Sequence, residues 1–168
     1  SYEETLANDL KEILDSSDIC LDIHSSFTRN SEAFAICENN AFNLIKNFPL
    51  EKVCSGFDEI EPGGTDYYMN LKGKIGICIE CGYLGDLSTK KIAKECIFRL
   101  LLELNMLEFP KFNFLNKMEK IYLNTKRLYI AKNNFKLLKN FKDFDYLKKD
   151  DLIGFDGSIE IRMDFDGY

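Results

Sequence analysis

Three side chains in this sequence have the type and surroundings for chemistry: His24, Glu80 and Arg29. His24 is the sole histidine and closes the apolar run Ile19-Cys20-Leu21-Asp22-Ile23-His24. Side chains alternate faces along a strand, so Cys20, Asp22 and His24 share one face and Ile19, Leu21 and Ile23 the other. An imidazole beside a carboxylate can ligate a metal or relay a proton, the carboxylate orienting the ring. The polar pair also falls at the strand's carboxyl end, where open α/β sheets place their sites. Set against this, a lone histidine at a strand end is ordinarily structural.

Glu80 sits in Lys74-Ile75-Gly76-Ile77-Cys78-Ile79-Glu80-Cys81-Gly82-Tyr83, a second strand pattern bounded by glycines. Gly76, Cys78, Glu80 and Gly82 share a face, so the acid is set among very small or apolar neighbours. Burial of a carboxylate is costly and raises its pKa, which suits proton transfer near neutral pH. Pairing with a Lys or Arg is the plainer alternative. Arg29 follows His24 in the loop Ser25-Ser26-Phe27-Thr28-Arg29-Asn30 and offers a fork for a substrate carboxylate. Most loop arginines are simply solvated.

Cys78 and Cys81 spell C-x-x-C, but an odd separation in a strand sends the two thiols to opposite faces. A redox pair needs both sulfurs together, and a zinc knuckle needs a second such pair that the sequence lacks. A Cys–His hydrolase built on His24 lacks an activated cysteine. The six cysteines lie mostly in apolar runs and read as free thiols of a reducing cytoplasm.

The elements that must position these residues follow from periodicity. A helix is expected over about 3–15, opened by a capping box of Ser1 and Glu4, with Leu6, Leu10 and Ile13 on one face. Strands are expected at 18–24 and 33–37, a helix at 40–47, and then a turn-rich stretch around Pro62-Gly63-Gly64. Thr65 there reads as the cap of a short helix. The Glu80 strand is followed by a long helix, Ser88 to Asn105, with Ile92, Cys96, Ile97, Leu100, Leu101 and Leu104 as its buried stripe. Alternating helices and strands define an α/β class with a mixed, largely parallel sheet flanked by helices. After Phe109-Pro110 the pattern changes to short strands, with a boundary near 108–116. The expected organisation is therefore an α/β domain over 1–110 and a small β unit over 111–168.

The 168 residues carry a formal charge of −6, which argues against nucleic acid as a partner. Residues 111–149 hold eleven Lys/Arg against three acids, a lysine-rich solvated face in the first instance. Its interleaved Phe and Tyr leave a nucleic-acid contact as the weaker alternative. No apolar run is long enough to span a membrane, and no signal-peptide pattern opens the chain.

Two stretches together resemble a known family. Leu6-to-Ser26, "LANDLKEILDSSDICLDIHSS", and Gly63-to-Gly82, "GGTDYYMNLKGKIGICIECG", are similar to the D-x-H and E-x-G strands of the succinylglutamate desuccinylase/aspartoacylase family. Those are zinc carboxypeptidase-like amidohydrolases, that is, metal-binding deacylases. The resemblance implies a carboxypeptidase-like fold with a small appended β domain. It implies hydrolysis of an amide in a small N-acyl amino acid or related compound. It further implies His24 as a zinc ligand and Glu80 as the catalytic acid/base, which takes the proton of a zinc-activated water and delivers it to the leaving amine. Asp22 would support the site from behind the ligands, and Arg29 would hold the substrate, though the resemblance does not fix Arg29. The family's H-x-x-E motif, which supplies two further ligands, is absent. Zinc catalysis uses three protein ligands and a water, and this sequence offers one.

The expectation is therefore a cytoplasmic hydrolase of which this chain is a part, inactive alone and cut at both ends. Exposed sheet edges left by such cuts offer a route to oligomers. The competing reading is a non-catalytic α/β module that binds a ligand or partner with an incomplete metal site.

Overall fold

The computed structural model describes residues 2–108 and 114–168. Its elements in chain order are α1 (Tyr2–Asp15), β1 (Ile19–Ser26), β2 (Ala33–Cys37), a 3-10 turn (Asn39–Ala41) and α2 (Phe42–Ile45). Next come β3 (Lys52–Ser55), α3 (Phe57–Ile60), α4 (Thr65–Leu71), β4 (Ile75–Tyr83) and α5 (Leu87–Glu103). The remaining strands are β5 (Ile121–Asn124), β6 (Phe135–Leu137), β7 (Leu152–Asp156) and β8 (Ile159–Arg162).

The first sheet runs β1-β4-β2-β3-β5. Only the β2–β4 pairing is antiparallel; β1–β4, β2–β3 and β3–β5 are parallel. This is the mixed, largely parallel sheet that the sequence leads one to expect. The second sheet, β6-β7-β8, is antiparallel.

One face of the first sheet carries the core. Ala35, Cys37, Val53, Ile77, Ile79 and Cys81 are buried there together with Ile45 of α2 and Cys96 and Leu100 of α5. Ile92, Ala93 and Leu104 pack against them from the same helix. Ile97, expected in that stripe, is 39% exposed. The buried arc of α5 extends instead to Glu95, which is fully buried. Its carboxylate accepts the Leu115 N–H (2.9 and 2.8 Å) and the Arg99 Nε–H (2.8 Å), and Arg99 Nη2 donates to the Leu115 carbonyl (2.7 Å). This pair moors the segment that leads to β5. Lys120 completes the tie by donating to the carbonyls of Phe48 and Leu50, ahead of β3.

β3 was absent from the sequence expectation, because four residues give too little alternation to separate a strand from the turns around it. The expected boundary at 108–116 falls largely outside the described residues. The chain parts into two compact units at Arg127/Leu128. β5, expected within the small β unit, pairs with β3 and so belongs to the first sheet. The second unit, Leu128–Tyr168, holds seven Lys/Arg and eight Asp/Glu. The part of the lysine-rich run that falls in this unit is therefore balanced by the acids that follow it.

The apolar face of α1 differs from a core face. Leu14 is its buried residue, while Leu6, Leu10 and Ile13 are exposed. The capping residue expected there, Ser1, lies outside the described residues. β1 is the edge strand of the first sheet, and Ile23 on it is 40% exposed.

Candidate functional site

The sheet register assembles the polar face. His24 of β1 is the direct partner of Glu80 of β4, and Asp22 is the partner of Cys78. Register partners point to the same side of a sheet, from strands about 4.8 Å apart. Glu80 is in turn the partner of Phe34, and Phe34 of Lys52. One row across four strands thus reads His24, Glu80, Phe34, Lys52, on the face opposite the apolar core.

Asp22 and His24 form the best-defined pair. His24 Nε2 lies 3.1 Å from Asp22 Oδ1, with the imidazole 54% exposed and the carboxylate 29%. The Thr65 hydroxyl donates to the other oxygen, Asp22 Oδ2, at 2.5 Å. In the neutral ring, a proton on Nε2 directed at Asp22 leaves the lone pair on Nδ1, pointing away from the carboxylate. The arrangement holds one imidazole in one orientation, ready to accept a proton or to ligate through that nitrogen.

Thr65 is where the sequence expectation needs correction. It is the first residue of α4, and Gly64, in an extended conformation, is the cap. Its hydroxyl is engaged by Asp22 rather than by the helix's own amides. The sequence holds one further signal for this arrangement. A methyl at Gly76 would meet the backbone of Asp66, so only glycine lets the start of α4 sit on β4. Cys20, on the same face, also meets the Thr65 hydroxyl, and burial raises its thiol pKa despite that bond.

Glu80 is half-buried, as its strand position requires. Gly82, two residues on, has φ +87°, and the Ser31 carbonyl lies close to where a side chain would begin. That conformation falls where the register with β1 shifts between His24 and Ser26, and it lets the 31–33 backbone approach the end of β4. Lys52 was missed by sequence reasoning, since its strand was. Its ammonium is ion-paired with Glu32 (2.5 Å) and Glu51 (3.4 Å), and the hydrogen bond with Glu32 raises its pKa.

Arg29 is exposed and lines a cleft with Cys81, Gly82 and the start of α5. Cys81 belongs to the core face, so this cleft is bordered by different side chains from the row that holds His24 and Glu80.

The cysteines behave as their parity implies. Cys78 lies on the polar face and Cys81 in the core, and all six thiols are free. Burial pushes Cys81 and Cys54 to about 11 and raises Cys78 further. None is an activated nucleophile. As for zinc, among the described residues no three His, Cys, Asp or Glu side chains are grouped to hold a metal ion. His24 is a single imidazole, and the oxygens of Asp22 are already taken by His24 and Thr65. These residues do not by themselves fit a zinc ion.

Comparison with known proteins bears on the fold. No family model matches the sequence, and no curated protein does. Solved structures do match, and the fold they share with this chain is that of succinylglutamate desuccinylase/aspartoacylase proteins, the family the two sequence stretches resemble. Succinylglutamate desuccinylase from Vibrio cholerae aligns with a TM-score of 0.71 and 15% identity, over 99% of this chain and 54% of its own. The succinylglutamate desuccinylase/aspartoacylase from Rhodobacter sphaeroides gives 0.68 and 14%, over 99% and 57%. The ectoine utilization protein EutE (DoeB) from Ruegeria pomeroyi, in a product-bound structure, gives 0.66 and 19%, over 92% and 52%. The chain spans about half the length of the solved chains it matches. Among the described residues no helix is long and apolar enough to cross a membrane.

Proposed function

We propose that this chain carries the acid/base part of a site that hydrolyses an amide bond in a small N-acyl amino acid or related compound. The observation that carries this reading is the register: His24 and Glu80 are direct partners on adjacent parallel strands, at the carboxyl end, on one polar face. In this scheme the Glu80 carboxylate accepts the proton of the attacking water. It then returns that proton to the amide nitrogen, so that the amine leaves neutral as the C–N bond breaks. Asp22, steadied by Thr65, fixes the orientation of His24.

The family resemblance brings zinc with it, and His24 is the ligand this chain would supply. Any further ligands would come from outside these 168 residues. The outer edge of β1 is the natural approach, because it lies beside His24 and pairs with no strand among the described residues. Such an enzyme, with six unpaired thiols, suits a reducing cytoplasm.

The test is Glu80→Gln in the longest natural polypeptide that contains this sequence, assayed by amine release from a panel of N-acyl amino acids. Loss of a general base lowers kcat by about 10²–10⁴, with the zinc content of the protein unchanged. Turnover within a few-fold of the wild type would remove Glu80 from the mechanism. The second reading, a binding module without catalysis, is favoured by the lack of a three-ligand group among the described residues. It prevails if that longest polypeptide neither binds zinc nor releases amine.

A further inference from the structure

The 29–31 loop, the end of β4 and the first turn of α5 enclose a cleft of about 260 Å³. Two charged groups line it, Arg29 on the loop and Asp86 at the head of α5. Asp86 is the helix cap: Oδ1 accepts the Ser88 N–H at 2.8 Å, which fixes the carboxylate at the rim. That hydrogen bond also holds its carboxyl below the usual carboxylate range, so it is an anion at neutral pH. The polar floor is already satisfied, since the buried Thr89 hydroxyl donates to the Tyr83 carbonyl at 2.6 Å. Ala33 and Ile92 add an apolar wall.

The two charges favour a ligand that carries two. A simple anion satisfies Arg29 alone and a simple amine Asp86 alone, though both groups line the one cleft. A ligand that carries both charges satisfies both. The volume is also small beside ordinary ligand pockets of about 300–1,000 Å³, which rules out a peptide or nucleotide as a fully enclosed guest. We propose that this cleft binds a free α-amino acid with a small or aliphatic side chain. Its carboxylate lies on Arg29, its ammonium on Asp86 and its side chain toward Ala33 and Ile92. The proposal rests on the hydrolytic reading in taking the amino acid released by hydrolysis as the natural ligand.

The experiment is isothermal titration calorimetry of this chain with L-alanine, L-valine and L-glutamate, and with acetate and propylamine as half-ligands. L-alanine or L-valine should bind about two- to fivefold tighter than either half-ligand, the factor a solvent-exposed charge pair contributes. Arg29→Ala and Asp86→Asn should each weaken amino-acid binding by about the same factor. Asparagine caps a helix as well as aspartate does, so the second variant removes the charge and keeps the fold, with an unchanged urea midpoint as the check. Acetate binding as tightly as the amino acid, indifference to Asp86→Asn, or no heat up to about 10 mM ligand would each overturn the proposal. The titration involves no turnover. Absent binding in a chain whose parent hydrolyses amides refutes the cleft alone, and intact binding with an unaffected Glu80→Gln parent refutes the hydrolytic role alone.

Discussion

Gly76→Ala tests how the site is held together. The new methyl would stand 2.5 Å from Asp66 Cα and 2.6 Å from its carbonyl carbon. Non-bonded carbons rest at about 3.5–4.0 Å, so the start of α4 must retreat by about 1 Å. The obstructing atoms are backbone, and no rotamer change relieves them. Such overpacking costs about 1–3 kcal/mol. Thr65, one residue away, moves with the helix, and its 2.5 Å bond to Asp22 stretches past hydrogen-bonding range. Losing a hydrogen bond to a charged group costs about 1.5–3 kcal/mol more. Alanine returns about 0.4–1 kcal/mol by restricting the unfolded chain. The net loss is about 2–5 kcal/mol, read from urea denaturation followed by far-ultraviolet circular dichroism. Thr65→Val, which removes only the hydroxyl, should lose about 1.5–3 kcal/mol with no backbone shift. If Gly76→Ala unfolds within about 0.5 kcal/mol of the wild type, α4 is not docked through that glycine, and the positioning argued for Asp22 and His24 fails with it.

Two further predictions concern the core. Glu95→Ala strands Arg99 and the Leu115 N–H and should cost about 3–5 kcal/mol, whereas Glu95→Leu with Arg99→Met, which removes both charges, should cost less than the single change; equal losses would mean the pair contributes no coupling. The buried thiols should be silent to 5,5′-dithiobis(2-nitrobenzoate) in the native chain, Cys20 being the half-buried exception, and all six should react in urea. Their folded-state pKa values, about 12 for Cys37 and about 11 for Cys54 and Cys81, lie above the unfolded value. The unfolded chain therefore releases those protons first, and stability should fall as pH rises above about 8.5. A urea midpoint that holds steady from pH 8 to 10 would contradict the burial of these groups.

Much of the fold was legible because its signals are local. The Ile-rich alternation of β1 and β4 and the long periodic stripe of α5 were sufficient to place them. Parity alone put Asp22 with His24 and separated Cys78 from Cys81. The rest depended on pairings that no local pattern encodes. β3 is four residues long and becomes a strand because β2 and β5 hydrogen-bond to it on either side, which also brings Lys52 to the polar face. Glu95 reads as a solvent residue on α5 until the chain returns at Leu115 to cover it. Thr65 looks like a helix cap because capping is the commoner use of a threonine after two glycines. Here Thr65 stands one residue inside the helix, where its hydroxyl donates to the carboxylate of Asp22 and caps nothing.

That hydrogen bond also orients the histidine. His24 is held by a chain of contacts, Thr65 to Asp22 to the ring, that lies wholly on one side of β1. β1 is the edge strand of its sheet, and the imidazole is 54% exposed. The site is thus held from α4 and left open to solvent at the imidazole. A histidine meant only for packing would be enclosed from both sides. One held through a single nitrogen and exposed on an edge strand is arranged to meet something that arrives there.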